Sequence, residues 1–517
     1  MDFSSNFAAI AIAGAFALIF LLKLWKRSKS RGNLVPEAPG GLPIIGHFHR
    51  LGEKKNLALI LTEMADKYGS MFSLRFGVHT TVIISDHKAI KECFTINDKF
   101  IAYRPPSTQA QIVGYSGSSF GFAPYGPYWR NLRKLASIEL LSSQRTKMLN
   151  YVQKSEVNYL VKDLYDHCNS SNAKIDISEC IQHMVFNMIT RMVAGKRFYV
   201  GNKEVENVNG RPMSEVIKDF MNVAGALVPG DFIPLIGWLD ITGVVKNMKS
   251  ISNEVGVIVD KWIEEHKMKK AEHEDKKDFL DVMLSVIQDE PSMGLDQATI
   301  IKGTSTAIIL AGSDTTAITA IWVLSNLLNN KKALQKCQEE LDLKVGRDRC
   351  VEVDDLAKLE YLSACIKETL RLFPPGPLGI PRHVAEDCYI SGYFIPKGTR
   401  LFLNFYKLHR DPEVWRNPEE FIPERFLTDK SHIDVTGNNF EYLPFSGGRR
   451  HCPGTNLAMQ VLNLSLARLL QAFNFKTPSD KPLDMSIGQA IVLPREYPLE
   501  LVLTARLAPH LYDQECN

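Results

Sequence analysis

The pattern Phe-x-x-Gly-x-Arg-x-Cys-x-Gly runs from Phe445 to Gly454, directly before a long segment with the apolar spacing of a helix. Five fixed residues at this spacing arise by chance in a chain of 517 residues with a probability on the order of 10⁻⁴. A cysteine in a glycine-rich turn at the start of a helix favours the thiolate, because the helix dipole and nearby amides stabilise negative charge. We therefore expect Cys452 to bind a metal through a thiolate of lowered pKa.

Each fixed residue has a physical task if this thiolate loop, residues 445–454, presents its sulfur to the iron of a haem. Gly448 and Gly454 let the backbone turn tightly and approach a flat ring. Arg450 offers a planar fork for a haem propionate, and Phe445 shields the sulfur from water. The competing interpretation is a buried core cysteine in a glycine-rich turn.

A second group of reactive side chains lies inside a predicted helix. The spacing predicts one uninterrupted helix over residues 296–328, yet residues 311–316 read Ala-Gly-Ser-Asp-Thr-Thr. Glycine and short polar side chains are poor residues for a helix interior, and such local conflicts often mark functional sites. Asp314 and Thr315 could relay protons, and Gly312 could leave space for bound oxygen. The alternative is a notch of small residues with capping side chains that packs against another helix.

The elements that must position these residues are mostly helical. Alternating residues predict a small hairpin over 71–76 and 79–85, and further short strands over 388–404, broken at Ser391-Gly392 and Lys397-Gly398. Helical spacing is found over residues 146–168, 255–270, 296–328, 332–345, 359–373 and 455–473. We expect a mainly α body with small β-sheets, in which Cys452 precedes the last long helix.

Composition narrows the classes of function. The 61 Lys and Arg residues nearly balance the 58 Asp and Glu residues, so overall charge gives no reason to expect nucleic acid as a partner. Hydrophobic residues make up 45% of the chain, which suits one large globular body able to bury a cofactor. The nine cysteines are scattered without a Cys-x-x-Cys pair, which favours a reducing compartment over a disulfide framework.

The N-terminus predicts a membrane anchor. An apolar run from Phe7 to Leu22 precedes the basic residues Lys23, Lys26 and Arg27, and the positive-inside rule then places the body in the cytosol. A cleaved signal peptide is the alternative, but the basic n-region and the small-residue cleavage site are lacking.

We therefore divide the chain into an anchor with its basic flank (1–31), a proline-rich hinge (32–46) and a cytosolic catalytic domain (47–517). In this topology the sequons at Asn169 and Asn463 never meet the glycosylation machinery.

The thiolate loop resembles the cysteine loop of the cytochrome P450 family, and other marks of that family follow along the chain in the family's order. This resemblance implies the cytochrome P450 fold, with Cys452 as the axial ligand of haem b iron. It assigns to Thr315 the stabilisation of bound oxygen and to Asp314 the relay of protons.

Further residues take their roles from the same resemblance. Glu368 and Arg371 form a Glu-x-x-Arg pair, and Arg425 is the third member of a buried ion-pair group that braces the thiolate loop. Binding of the haem propionates is assigned to three side chains outside that loop: Trp129, Arg133 and Arg382. By the resemblance, the substrate pocket draws on residues 104–122, 221–233, 308–315, 376–380 and 489–493.

The amino-acid sequence is similar to that of plant family 82 of the cytochromes P450 in three segments, residues 125–130, 439–442 and 506–509. The resemblance implies a single-pass enzyme of the endoplasmic reticulum membrane that takes NADPH-derived electrons from a reductase. It would oxidise a lipophilic terpenoid, alkaloid or phenolic. Two alternatives remain: a haem-thiolate isomerase or dehydratase acting without reductase, and a haem sensor or binding protein without turnover.

Overall fold

The computed structural model describes residues 33–50, 55–170, 174–200, 203–204, 207–208, 210–226, 228–233, 240, 242–268, 277–287, 294–479 and 481–513. The predicted membrane anchor and its basic flank lie outside these residues, so both stay predictions.

Helices form most of the described chain. The α-helices are α1 Leu57–Tyr68, α2 His87–Phe94, α3 Asp98–Ile101, α4 Thr108–Ile112, α5 Pro127–Leu135, α6 Ser143–Met148, α7 Asn150–Ser170, α8 Ile177–Ala194, α9 Met213–Ala224, α10 Val244–Met268, α11 Phe279–Val286, α12 Gln297–Asn329, α13 Lys331–Lys344, α14 Glu360–Leu372, α15 Phe405–Leu408 and α16 Thr455–Ala472. A π-helical turn, Ala136–Leu140, extends α5. Short 3-10 helices occupy Phe48–Arg50, Pro229–Asp231, Val353–Lys358, Pro423–Phe426, Gly448–Arg450 and Pro509–Leu511.

The strands are short. They are β1 Met71–Phe76, β2 His79–Ile84, β3 Ile175–Asp176, β4 Tyr199–Val200, β5 Lys203–Glu204, β6 Asn207–Val208, β7 Arg211–Pro212, β8 Arg382–His383, β9 Cys388–Ile390, β10 Tyr393–Ile395, β11 Arg400–Leu403, β12 Phe473–Lys476 and β13 Glu500–Ala505. The largest sheet has the order β1-β2-β11-β8, with β11 parallel to β2 and the other pairs antiparallel. A second sheet has the order β12-β13-β3, and the remaining sheets are two-stranded.

The predicted mainly α body with small sheets is confirmed. The hairpin turns at Gly77-Val78, and the two predicted breaks separate β9 from β10 and β10 from β11. The predicted helix over 296–328 corresponds to α12, whose first turn is capped by Asp296 through a 2.6 Å hydrogen bond from the amide of Thr299. Helix α10 begins at Val244, well before the predicted start.

Helix α12, the central helix, packs against α8, α10, α14 and α16. Because apolar residues cover several of its faces, it is long and apolar enough to cross a membrane by length and composition. Of its most apolar window, 61% is buried inside the protein, so this helix belongs to the core. It runs unbroken through residues 311–316.

Most of the predicted hinge lies along the largest sheet. Ala38 donates a 2.9 Å hydrogen bond to the carbonyl of Ser73 on β1, and Ser73 donates from its own amide to Pro36 at 2.8 Å. Val35 and Ala38 are buried. Residues 35–38 are therefore attached to the body, and the division of the chain at residue 46 stays a prediction.

Candidate active site

The thiolate loop is a tight turn closed by its own backbone. The amide of Cys452 donates to the carbonyl of Phe445 at 3.0 Å, and the amide of His451 donates to Gly448 at 3.0 Å. Gly448 has a φ of +65°, a left-handed conformation that glycine adopts without the strain of a side chain. A Cβ at Gly454 would lie 3.9 Å from the sulfur of Cys452. The loop thus carries its sulfur close to the start of α16, as predicted.

The predicted lowering of the Cys452 pKa is wrong in direction for the protein alone. Burial raises the pKa of this thiol, and it outweighs the opposing effects of the Gly454 amide, the Arg133 charge and the Thr455 hydroxyl. The stabilising groups that the sequence suggested are present, but together they lower the pKa of Cys452 by less than desolvation raises it. A bound metal ion reverses the balance, because a coordinating thiol is deprotonated outright.

The acid and the alcohol lie on the central helix where its surface opens. Ala311 is exposed although much of the helix is buried, and Asp314 and Thr315 are half-buried. The Thr315 hydroxyl donates a 2.6 Å hydrogen bond to the carbonyl of Ala311. Burial raises the pKa of Asp314, which favours a carboxyl that holds its proton.

Gly312 has a different role from the expected one. A Cβ at this position would lie 3.2 Å from Cδ1 of Ile189 on α8, which is closer than ordinary packing allows. The missing side chain therefore lets two helices approach, as the packing alternative held. The open surface is provided by Ala311 instead.

Four basic side chains of the site affect one another: Arg104, Arg133, Arg382 and Arg450, here called the arginine group. Repulsion from Arg382 and Arg133 adds to burial in lowering the pKa of Arg450 to about 9. Repulsion from Arg450 and Arg382 adds to burial in lowering the pKa of Arg104. Burial lowers the pKa of Arg382 to about 10. The protein by itself leaves these charges incompletely compensated.

Two members of this group keep donors for a ligand. Nη1 of Arg382 is buried without a partner among the described residues, although Nη2 is 3.3 Å from the Ser446 hydroxyl and from the Gly447 carbonyl. Among the described residues, no hydrogen bond or ion pair holds the guanidinium of Arg133, whose strongest favourable charge interaction is with Cys452. Both residues therefore fit their predicted roles toward an anion.

The side chains of Trp129 and Arg450 donate their hydrogen bonds to backbone carbonyls. The indole N–H of Trp129 donates to the carbonyl of Phe120 at 2.9 Å, and it is the only donor that an indole has. Arg450 donates to the carbonyls of Ala102, Phe120 and Ala123 at 2.6 to 3.0 Å, and its guanidinium lies 4.5 Å from the Trp129 ring centroid. These two side chains join the thiolate loop to residues 102–123, and their contact with propionates stays a prediction.

Arg104 was predicted only as the first residue of a pocket segment, and the structure adds it to the arginine group. It donates to the carbonyls of Ile380 and Pro381 at 2.9 and 3.1 Å and to Gly121 at 3.3 Å. The signal in the sequence was weak, because one arginine before Pro105-Pro106 has no distinctive spacing. Only its position beside Arg382 and Arg450 reveals it.

The arginine group fits haem b. An anion with more than one charge would suit this group for two reasons. Nη1 of Arg382 and the guanidinium of Arg133 have no partner among the described residues, and the members of the group repel one another. The two propionates of haem b provide two carboxylates, which arginine binds with good geometry. Cys452 would provide the thiolate for the iron, and a Cβ at Gly454 would lie in ordinary contact with this sulfur.

The predicted ion-pair group is present and buried. Arg371 binds both carboxylate oxygens of Glu368, at 2.8 and 2.9 Å, and Arg425 donates to Glu368 at 3.0 Å. Glu368 and Arg371 are fully buried, and Arg425 is 6% exposed. Arg371 also donates to the carbonyls of His409 and Pro418, so that its donors are largely satisfied.

A family model described as "Cytochrome P450" matches residues 36–501. The chain belongs to the cytochrome P450 family. It is 45% identical to "Cytochrome P450 CYP82J17" of Trigonella foenum-graecum, covering 97% of this chain and 98% of that protein. It is 43% identical to "Xanthotoxin 5-hydroxylase CYP82C4" of Arabidopsis thaliana, covering 96% and 98% respectively. The predicted resemblance to family 82 is thereby confirmed.

A solved structure described as "Zebra fish cytochrome P450 another structure with Abiraterone" has the same fold. It aligns with a TM-score of 0.70 and 27% identity over 87% of this chain and 99% of that one. As a cytochrome P450, this protein is a haem-thiolate monooxygenase that binds haem b. The individual roles of the site residues stay proposals.

Several predicted pocket segments of this cytochrome P450 meet. Thr108 donates from its amide and its hydroxyl to the carboxylate of Asp231, at 2.9 and 2.6 Å. Arg104 reaches the carbonyl of Ile380. A Cβ at Gly225 would lie 3.6 Å from Cδ1 of Ile491. Residues 104–122 therefore contact the 221–233 and 376–380 segments, and 221–233 contacts 489–493.

Proposed function

We propose that this cytochrome P450 inserts one atom of O₂ into a C–H bond of a lipophilic plant specialised metabolite, with electrons from an NADPH-dependent reductase. The acid and alcohol pair of the central helix supports this proposal most strongly, because oxygen insertion needs protons delivered at the haem. A thiolate-bound haem supplies oxygen activation, since electron donation from sulfur favours cleavage of the O–O bond.

Asp314 and Thr315 have the properties of a proton relay. Burial raises the pKa of Asp314, which favours the protonated carboxyl. The Thr315 hydroxyl donates to the Ala311 carbonyl, so its lone pairs can accept a hydrogen bond from a proton donor. We propose that Asp314 passes protons inward and that Thr315 orients their delivery.

The proposed substrate is lipophilic because the joined pocket segments expose apolar side chains. Ile380 is 55% exposed and Ile491 is 63% exposed, although both are large hydrophobic residues. Apolar surface of this kind binds apolar molecules. The name of one relative specifies xanthotoxin, and the family resemblance extends to terpenoids and alkaloids. We propose a substrate within these classes.

A basic surface behind the thiolate loop suits an acidic electron donor. Arg130 and Lys134 are exposed on α5, the helix that also carries Trp129 and Arg133, and Arg449 is exposed on the loop itself. Opposite charges steer association and set the register of docking partners. We propose that the reductase docks on this surface.

We propose that residues 1–31 anchor the protein in the endoplasmic reticulum membrane with its body in the cytosol. Asn169 is exposed on α7 and is the informative sequon. Asn463 is 9% exposed within α16 and donates to the Met459 carbonyl, so the folded helix excludes a glycan there in any topology. A glycan on Asn169 in microsomes would contradict the cytosolic placement.

Candidate plant metabolites should be screened in microsomes that contain the protein with its reductase, with products identified by mass spectrometry and NMR. We expect product only when NADPH, reductase and O₂ are all present, and none from Cys452→Ala. Product formed from a peroxide substrate without reductase would instead support the isomerase or dehydratase alternative. Haem binding without any turnover would support a sensor.

A further inference from the structure

Asp98 is a buried carboxylate that lies behind the thiolate loop. It begins α3, and only 4% of the residue is exposed. Its Oδ2 accepts hydrogen bonds from the backbone amide of Arg449 at 3.0 Å and from Nη1 of the same residue at 2.9 Å. Asn97 holds the preceding turn by donating to the carbonyl of Tyr389 at 2.8 Å. The carboxylate is thus fixed against the turn that leads to Cys452.

The contact between Asp98 and the loop is close enough to explain a motif residue. A Cβ on Gly448 would lie 2.6 Å from Oδ1 of Asp98 and 3.0 Å from the Phe94 ring. Gly448 therefore lacks a side chain for two reasons, its positive φ and the presence of this carboxylate. The turn and the carboxylate form one packed unit.

The charge of Asp98 also acts on Arg382, one member of the arginine group, and on Arg449. Within the described chain, its charge opposes the lowering of the Arg382 pKa and helps to raise the Arg449 pKa. In the part of the chain that the structure describes, its Oδ1 is buried without a partner, as is Nη1 of Arg382. A charge that is buried in this way is weakly screened and acts over several ångströms.

We propose that Asp98 is a positioning residue for the haem. Its carboxylate fixes the Gly448-Arg449 turn ahead of Cys452, and its negative charge lowers the reduction potential of the haem iron. The potential falls because reduction adds an electron near a charge of the same sign. The proposal depends on haem binding at Cys452 and is independent of the substrate and of the reductase.

Asp98→Asn tests the charge, because the amide oxygen of asparagine can still accept from the Arg449 amide. In the full-length holoprotein we expect the equilibrium constant for one-electron reduction to rise about 10-fold, a shift of about 59 mV. The spectrum of the ferrous carbon monoxide complex should retain its thiolate character. Glu92→Gln is the control, since glutamine can still accept from the Ser391 amide, which Glu92 binds at 2.7 Å. An unchanged potential in Asp98→Asn with normal haem content would overturn the charge role.

Asp98→Ala tests the positioning, because it also removes the acceptor for the Arg449 amide. We expect haem to transfer to an excess of apomyoglobin several-fold faster from Asp98→Ala than from Asp98→Asn. Equal transfer rates from the two variants would overturn the positioning role.

If Asp98→Asn is recovered without haem, Arg449→Met replaces it in the charge test. This change leaves Asp98 in place without its ion-pair partner, so its charge should lower the reduction equilibrium constant further. Arg130→Met is a matched control, because both guanidinium groups lie against the Tyr125 ring, at 5.8 and 5.7 Å from its centroid. Equal decreases in the two variants would overturn the proposal.

Discussion

The backbone amide of Leu443 donates a 2.9 Å hydrogen bond to Nε2 of His409, and the carbonyl of the same histidine accepts a 2.8 Å hydrogen bond from Arg371. Leu443 lies two residues before the thiolate loop. His409 is fully buried. Its two hydrogen bonds connect the Glu368 ion-pair group directly with the segment that leads to Cys452. The family resemblance predicted that this group braces the loop, and we propose that His409 transmits this support.

We expect Glu368→Ala to prevent haem incorporation, because it leaves Arg371 and Arg425 buried without their carboxylate. Removing one member of a buried ion pair costs about 3 to 5 kcal/mol. The measurement is haem content per protein together with the carbon monoxide difference spectrum. Glu63→Gln is a suitable control, because Glu63 is 61% exposed and pairs with Lys55, and such surface pairs contribute about 0 to 1 kcal/mol. A normal haem content in Glu368→Ala would contradict the bracing role.

We expect the stability of the holoprotein to fall as the pH drops below about 6.5, partly through His409. Burial, with the charges of Arg371 and Arg410, holds the pKa of His409 well below its usual range. The unfolded chain then binds a proton below pH 6.5 that the folded chain does not, so the stabilisation is complete above that pH and is lost below it. One such group contributes a slope of about 1.4 kcal/mol per pH unit.

The measurement for His409 is the urea midpoint, followed by the haem absorption band, at a series of pH values. His409→Gln is the informative variant, because glutamine offers an acceptor near the Nε2 position and does not titrate. We expect a shallower decrease at acidic pH in this variant. His79, His383 and His451 also have lowered pKa values and retain part of the slope. Identical slopes in wild type and variant would exclude the contribution of His409.

We expect Thr315→Ala to divert electrons from product to hydrogen peroxide, since the hydroxyl that orients proton delivery is gone. Product per NADPH should fall roughly 10-fold, which is below the usual range for a direct proton donor because water can partly replace a hydroxyl. Peroxide and product are measured against NADPH consumption. Thr319→Ala is a matched control, because its hydroxyl makes the same type of bond to the Thr315 carbonyl, at 2.8 Å. Unchanged coupling in Thr315→Ala would refute the assignment.

Two positions of the thiolate loop should respond differently to substitution although their φ values are nearly the same. Ser446 has a φ of +63° and Gly448 a φ of +65°. Ser446→Gly relieves backbone strain of about 1 to 2 kcal/mol. It loses a long 3.3 Å contact with Arg382 and gains chain entropy in the unfolded state, so the net change in stability should be within about 1 kcal/mol.

Gly448→Ala adds the same strain and forces a methyl group against Asp98. We expect it to destabilise the holoprotein by at least about 2 kcal/mol. Thermal unfolding, followed by haem absorption, distinguishes the two variants. A Ser446→Gly variant that unfolds as early as Gly448→Ala would show that the φ values do not govern this loop.

The sequence by itself determined the features that depend on short spacings. The thiolate loop with Cys452, the acid and alcohol at 314 and 315, and the pair of Glu368 and Arg371 could each be identified within about ten residues of chain. The mainly α fold was equally predictable, because apolar periodicity is a local property. These features are motifs of the family, and such a motif can be identified without knowing which residues far apart in the chain are in contact.

Only the tertiary structure decided which distant groups meet and which of two opposing effects is larger. Asp98 and Arg449 are separated by 351 residues, and Arg104 joins Arg382 only through folding. Gly312 faces Ile189 because α8 packs there, and the Cys452 thiol has a raised pKa because burial outweighs the helix terminus. Burial and charge compensation are sums over the whole packed molecule, and no short stretch of sequence determines them.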